Sequence, residues 1–115
     1  FAIAALQKVA PDLKGHFAFF PVQESQRSGY VLLVDDVVEA SDLAKRLDQE
    51  LMAAHHYRLA RNLGQLDPLR VTHSPLWTHR YFALAEQRGQ QLGNIKLALL
   101  QKRISSEDDL HFLRG

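Results

Sequence analysis

The sequence predicts an α+β domain with a small, mostly antiparallel sheet and helices packed on one face, in a ferredoxin-like arrangement. Two observations support this class. Runs of β-branched and aromatic residues, typical of strands, cover residues 15–22, 30–36 and 69–73, and helix-spaced apolar stripes lie before and between them. The chain has 115 residues, of which 46% are hydrophobic and 23% charged, as expected for one globular domain rather than a disordered chain.

The first predicted element is a short helix over residues 1–10, because Ile3, Leu6 and Val9 recur at helical spacing. Pro11 ends this helix, since a proline disfavours the α conformation at the residue before it. One apolar face of the helix is therefore expected to pack on the rest of the domain.

Two strands follow, over residues 15–22 and 30–36, and the polar loop between them predicts a β-hairpin. Phe17 and Phe19 lie on one face of the first strand, and Phe20 lies on the other. A strand that is apolar on both faces is typical of a central position with packing on both sides.

A long helix is predicted from Ser41, interpreted as its N-cap, to about Asn62. Gly64 is suited to end it, because glycine adopts the left-handed conformation that often follows a helix. The apolar stripe of this helix comprises Leu43, Leu47 and Leu51.

The C-terminal part adds a strand over residues 69–73 and a helix that starts at Ser74-Pro75 and ends at Gly89. A glycine loop over 89–96, an apolar run over 97–100 and a short helix capped by Ser105 and Ser106 complete the chain. The predicted core draws on both strand faces and both long helices: Phe17, Phe19, Leu32, Val34, Leu47, Leu51, Val71, Tyr81 and Leu84.

Composition excludes several classes of function. The absence of cysteine excludes a disulfide scaffold, a thiol nucleophile and a Cys-type zinc site. A net charge of +1 argues against a nucleic-acid partner. The segment KGHFAFF (14–20) resembles an RNA-binding strand, but Phe17 stands where a small residue belongs, so core aromatics are favoured. No apolar run approaches ~18 residues, so no membrane partner is expected.

The histidines and paired carboxylates give no catalytic or metal signature. His55 and His56 are adjacent, so on a helix they point about 100° apart, and no HExxH motif is present. A metal site is therefore not predicted. Asp35 and Asp36, at a strand end, are interpreted as a solvated turn.

The loop GQQLGNIK (89–96) is the segment with the clearest chemical potential. Gly89 and Gly93 allow a tight backbone, and Lys96 follows them. A lysine in that position can reach a phosphate or a carboxylate as a point charge, although a surface lysine in a linker has the same pattern. No GxxxxGK[ST] or GxGxxG motif accompanies it.

Two segments together carry a family resemblance. YRLARNLGQLDPLRV (57–71) and the later GQQLGNIK resemble the C-terminal domain of the auxin-responsive promoter, or Gretchen Hagen, family of acyl-acid amido synthetases. The preceding hairpin and leucine-striped helix fit the same order, so the resemblance covers roughly residues 1–100.

The resemblance implies that residues 1–115 form a single C-terminal lid domain of a larger, cytoplasmic acyl-adenylating ligase. Since the chain begins with Phe1, we expect it to be a piece of a longer protein. An N-terminal adenylation domain would bind ATP with Mg²⁺ and the acyl acid, and an amine such as an amino acid would accept the acyl group. Lys96 would be the catalytic residue, Gly89 and Gly93 would lie near the phosphates, and the isolated domain would be inactive.

A second interpretation comes from a different class of protein. The chain could act alone as a ferredoxin-like regulatory module that binds a small ligand or another protein through its sheet. The two interpretations differ in whether the parent reading frame extends several hundred residues upstream.

Overall fold

The computed structural model describes residues 1–24, 27–89 and 106–115. Within these ranges the helices and strands follow the predicted order. The apolar run predicted over 97–100 lies outside the described residues. The elements are α1 (Ala2–Val9), β1 (Phe17–Glu24), β2 (Arg27–Val34), α2 (Ala40–Leu51), α3 (His55–Asn62), β3 (Arg70–His73), α4 (Trp77–Gln87) and α5 (Glu107–Arg114).

The described strands form one mixed sheet in the order β1-β2-β3. β1 and β2 pair antiparallel with Phe19 opposite Leu32, so the predicted hairpin is confirmed. β2 and β3 pair parallel, with Leu32 opposite Val71. A parallel pair requires a crossover connection, which α2 and α3 supply. The α+β class is confirmed, and the ferredoxin-like arrangement stays a prediction.

β2, and not β1, takes the central position of this sheet. The four consecutive residues Val31, Leu32, Leu33 and Val34 are all buried, which is typical of a strand covered on both faces. The first strand was predicted to be central because its aromatics point both ways. That prediction is correct about packing on two sides but wrong about position, since β1 lies at an edge of the described sheet.

Helices cover both faces of the sheet, so the prediction of helices on one face is wrong. The first core cluster packs Phe19 and Leu32 against α1 and α2, with Leu6 and Leu47 among its buried members. The second core cluster packs the opposite face against α4 and α5. Successive residues of β1 and β2 point to opposite faces and are apolar on both, so each face needs its own cover.

The second core cluster is built around an indole. Trp77 is fully buried, and its ring meets that of Phe20 edge to face at a centroid distance of 5.9 Å. Leu110 and Leu113 of α5 complete the cluster. Because Phe19 and Phe20 are both buried, they cannot stack on bases, and their interpretation as core aromatics is confirmed.

Most of the predicted core is confirmed at the level of individual side chains. The buried members are Phe19, Leu32, Val34, Leu47 and Leu51. The other four predicted residues are partly buried and pack against the two clusters: Phe17, Val71, Tyr81 and Leu84.

The single helix predicted from Ser41 to about Asn62 is two helices. α2 ends at Leu51 and α3 starts at His55, after Ala54 adopts an extended conformation with φ −78° and ψ 127°. Ser41 is also not the N-cap, because α2 begins one residue earlier. The leucine stripe on α2 is confirmed, since its three members are buried.

Replacing Leu47 by alanine is expected to lower the free energy of unfolding by about 2–5 kcal/mol, because the side chain is fully buried in the first core cluster. Lys45→Ala, on the exposed face of the same helix, is the control and should change it by less than about 0.5 kcal/mol. Urea denaturation of both variants checks this. Equal, small losses would mean that α2 presents another face to the sheet.

Candidate functional site

Among the described residues, the most extensive network of polar side chains surrounds the carboxylate of Asp48 on α2. Arg61 donates to both of its oxygens, with Nη2 at 2.8 Å and Nε at 3.1 Å. The Tyr57 hydroxyl and the Leu69 amide donate to the same carboxylate, the amide at 3.3 Å. The side chains of Asp48 and Arg61 are only 16% and 21% exposed, so the pair is shielded from solvent.

The break between α2 and α3 makes this cluster possible. Asp48 and Arg61 are 13 residues apart, which on one straight helix would separate them by about 20 Å. The turn before His55 folds α3 back, and Tyr57 and Arg61, four residues apart, then present one face to the carboxylate. The geometry explains why the apolar pattern alone predicted the wrong helix length.

Ionisation in this cluster is set by the balance of burial and hydrogen bonding. Burial alone raises the pKa of Asp48, but the hydrogen bonds from Arg61, Tyr57 and the Leu69 amide outweigh it and hold that pKa below its ordinary value. Burial, together with the hydrogen bond to Asp48, raises the pKa of Tyr57 well above its ordinary value. Asp48 is therefore anionic and Tyr57 a neutral donor near neutral pH.

The segment YRLARNLGQLDPLRV owes its pattern to this cluster. Tyr57 and Arg61 bind Asp48, and Leu69 is buried beside it. Gly64 has φ +72°, a conformation that side-chain-bearing residues rarely adopt, and it follows the end of α3. The segment therefore joins α3 and β3 to α2, which is a structural role. Sequence reasoning missed Asp48, and the Tyr57–Arg61 spacing was the one signal that pointed to a shared partner.

Of the predicted phosphate-site residues, the structure describes only Gly89. Gly93 and Lys96 lie outside the described residues. Gly89 follows α4 with φ +84°, and its amide donates to the Glu86 carbonyl at 3.0 Å. Among the described residues, nothing lies within 4 Å of the position where a Cβ of residue 89 would stand.

The helix that leads to Gly89 is firmly held. The Trp77 Nε1 donates to the carbonyl of His16 at 3.3 Å, and Arg88 binds Asp109 of α5 at 2.6 Å. The predicted start of this helix at Ser74-Pro75 is wrong, because α4 begins at Trp77. The Ser74 hydroxyl is buried and donates to the carbonyl of Arg114 at 3.0 Å, because α5 needs a partner at its C-terminal end.

The cap predicted for α5 is confirmed. The Ser106 hydroxyl accepts from the Asp109 amide at 3.1 Å, and three acidic residues occupy the first turn. A second ion pair, Arg70–Glu107 at 2.7 Å, holds the same turn on β3 and lowers the pKa of Glu107.

Asp35 and Asp36 lie in a partly exposed bend after β2, where both also bind the chain before β1. Asp35 accepts from the His16 amide at 2.7 Å and contacts His16 Nδ1 at 3.1 Å. Asp36 accepts from the Lys14 amide at 2.9 Å. Gly15 has φ +76°, and a Cβ there would stand 2.1 Å from Asp35 Oδ1, so only glycine fits.

Metal ligation finds no support in the part of the chain that the structure describes. Within it, no three His, Asp or Glu side chains are arranged so that they could hold a metal ion. The rings of His55 and His56 contact each other at a centroid distance of 5.5 Å. None of the described helices is both long and apolar enough to span a bilayer.

These observations define a small α+β domain with helices on both sheet faces. The polar cluster around Asp48 has a structural role in it, since it joins α3 and the start of β3 to α2. The chain belongs to the GH3 family, because the model of the GH3 family C-terminal domain matches residues 2–104. The family resemblance seen in the sequence is thereby confirmed. A search of proteins with curated functions gives no match.

One solved structure shows the same fold over almost the whole chain. GH3.15 acyl acid amido synthetase superposes with a TM-score of 0.63 at 16% sequence identity. The superposition covers 97% of this chain but only 23% of that protein, so the chain corresponds to about a quarter of its length.

Substituting Asp48 by asparagine is expected to lower the free energy of unfolding by about 1.5–3 kcal/mol, because charge-assisted hydrogen bonds are lost at a shielded site. Asp42→Asn is the matched control on α2. Its ion pair with Arg46 is exposed, so it should cost less than about 1 kcal/mol. Chemical denaturation at pH 7 measures both, and equal costs would contradict a special role for Asp48.

The Asp48 contribution is expected to depend on pH. A carboxyl whose pKa is lower in the folded state than in the unfolded state stabilises the fold fully above the unfolded value of about 3.9. The contribution falls as the pH drops from there through the folded-state pKa. The difference in stability between the wild type and Asp48→Asn should therefore be constant above about pH 5 and shrink below it. A difference that grows on acidification would contradict the assignment.

Proposed function

We propose that this chain is the C-terminal domain of a cytoplasmic, ATP-dependent amido synthetase that activates an acyl acid and joins it to an amine. The observation that carries the proposal is the family match over residues 2–104, a range that includes GQQLGNIK. A solved structure with the same fold is named an acyl acid amido synthetase, and this chain spans 23% of it. The rest of the catalytic unit would be an N-terminal adenylation domain.

The proposed reaction has two steps. The carboxylate of the acyl acid attacks the α-phosphorus of ATP, forms an acyl-adenylate and releases pyrophosphate. The amine then attacks the acyl carbon, loses a proton, forms an amide and releases AMP. The adenylation domain would hold ATP with its Mg²⁺ and the acid, while this domain acts as a lid that reorients between the steps.

Lys96 is the residue of this chain to which we assign the chemistry. Negative charge on the phosphate oxygens rises as the carboxylate attacks, so a cation aimed there stabilises the transition state more than the ground state. Gly89 and Gly93 would let the backbone near Lys96 approach the phosphates closely.

The contacts that hold α4 in the described residues support this assignment. This helix is anchored in the second core cluster by Trp77, and its last turn is tied to α5 through Arg88 and Asp109. Gly89 follows directly after this anchored turn and is itself exposed. The segment that carries Lys96 in the sequence therefore starts from an anchored helix, which suits a catalytic group that must be presented to a partner domain.

In the full-length parent protein, Lys96→Ala is expected to lower the adenylation rate by roughly 10²–10³-fold, the effect of losing one electrostatic contact in the transition state. ATP affinity should hardly change, because the adenylation domain would hold the nucleotide. Acyl transfer from a pre-formed acyl-adenylate should survive. ATP–pyrophosphate exchange, ATP binding and single-turnover transfer measure the three quantities.

Lys102→Ala is the matched control and should have little effect on exchange. The 115-residue chain by itself should give exchange at background level. Intact exchange in Lys96→Ala combined with loss in Lys102→Ala would move the role to the second lysine, and an effect of neither would remove the catalytic assignment. Robust exchange by the chain alone would contradict the lid role.

A further inference from the structure

An apolar cleft of about 200 Å³ lies between α1, the sheet and the turn that joins α2 to α3. Its deepest residues are Phe19, Leu51 and Leu69, which all belong to the first core cluster. Tyr30 and Tyr57 form its walls. Phe1 stands at the rim, where its side chain is largely exposed.

The chemistry of the cleft is uniform. None of the side chains that line it carries a charge, and its surface is overwhelmingly apolar. Tyr57 has its hydroxyl committed to Asp48, and the Tyr30 hydroxyl has no hydrogen-bond partner among the described residues. The cleft therefore offers aromatic ring surfaces and one available polar group.

Size and charge together select the kind of occupant. A cavity of about 150 Å³ lined by aliphatic and aromatic side chains is large enough for benzene. A space of about 200 Å³ admits one or two fused rings but not a helix or a strand of a protein partner. None of the lining side chains could pair with an ionised carboxylate, which would lose its hydration in the apolar interior of the cleft, so charged ligands are disfavoured there.

We propose that this cleft is a binding site for a neutral aromatic molecule of one or two rings, held between the sheet and the α2–α3 turn. The proposal does not depend on the adenylation chemistry, since it rests on Tyr30, Tyr57 and the buried residues beneath them. Ring stacking and edge-to-face contacts with the two tyrosines supply the preference for an aromatic over an aliphatic ligand.

Indole is the probe for the test, because it is neutral, has two rings and carries one N–H that the Tyr30 hydroxyl can accept. Titration into the ¹⁵N- and ¹³C-labelled chain should shift the signals of Ala2 and Ala54, which both line the cleft, in a saturable way. The expected Kd is on the order of 10⁻⁴–10⁻³ M, as suits so small a ligand. Benzoate should bind at least about tenfold more weakly.

Two filling variants check the location independently. Ala54→Phe and Ala2→Phe each add a ring at a lining position, one in the α2–α3 turn and one on α1, and should weaken indole binding at least about tenfold. Ala53→Phe and Ala4→Phe, at exposed neighbouring positions outside the lining, should leave it within about twofold. The dispersed spectrum of each variant shows whether it folds, so that one variant can replace the other.

The proposal is overturned by any of three results: no saturable shifts up to the solubility limit of indole, unchanged affinity in a folded filling variant, or equal affinity for benzoate. Shifts confined to signals of the opposite sheet face would also contradict it, because the site would then lie in the second core cluster.

Discussion

The carboxylate of Asp48 is the constraint on which the rest of the structure depends. It draws together the end of α3 through Arg61, the start of α3 through Tyr57 and the approach to β3 through the Leu69 amide. These contacts determine how the chain returns after α2, so they direct β3 to pair parallel with β2. Because one shielded charge on α2 accepts from two side chains of α3 and from the Leu69 amide, α3 and the start of β3 are both held against α2.

The same crossover leaves the second sheet face uncovered, and the C-terminal part of the chain covers it. Trp77 fills the centre of that face, and α5 closes it with Leu110 and Leu113. α5 lies beyond residue 104, where the family match ends, yet it is joined to β3 and α4 by ion pairs. The helix is thus part of the folded unit, and it braces the end of α4 at which Gly89 stands.

Predicting the candidate site from sequence was possible only where chemistry is local. The segment GQQLGNIK and its Lys96 could be proposed as a candidate site because the glycine spacing and the lysine after it are properties of the sequence alone. The GH3 family match covers this segment. The apolar cleft could not be predicted from the sequence, since Tyr30 and Tyr57 come from a strand and a helix that meet only after folding. A concave surface depends on how elements are placed, and periodicity carries no information on that.

The sequence by itself determined the elements that rest on short-range patterns: the hairpin, the leucine stripe of α2, the Ser106 cap and most of the core. Each follows from side-chain periodicity or from hydrogen bonds within a few residues. The tertiary structure decided the break after Leu51, the use of both sheet faces and the central place of β2. These depend on contacts between residues far apart in the chain, where a distant hydrogen bond such as Arg61 to Asp48 outweighs the local preference for a continuous helix.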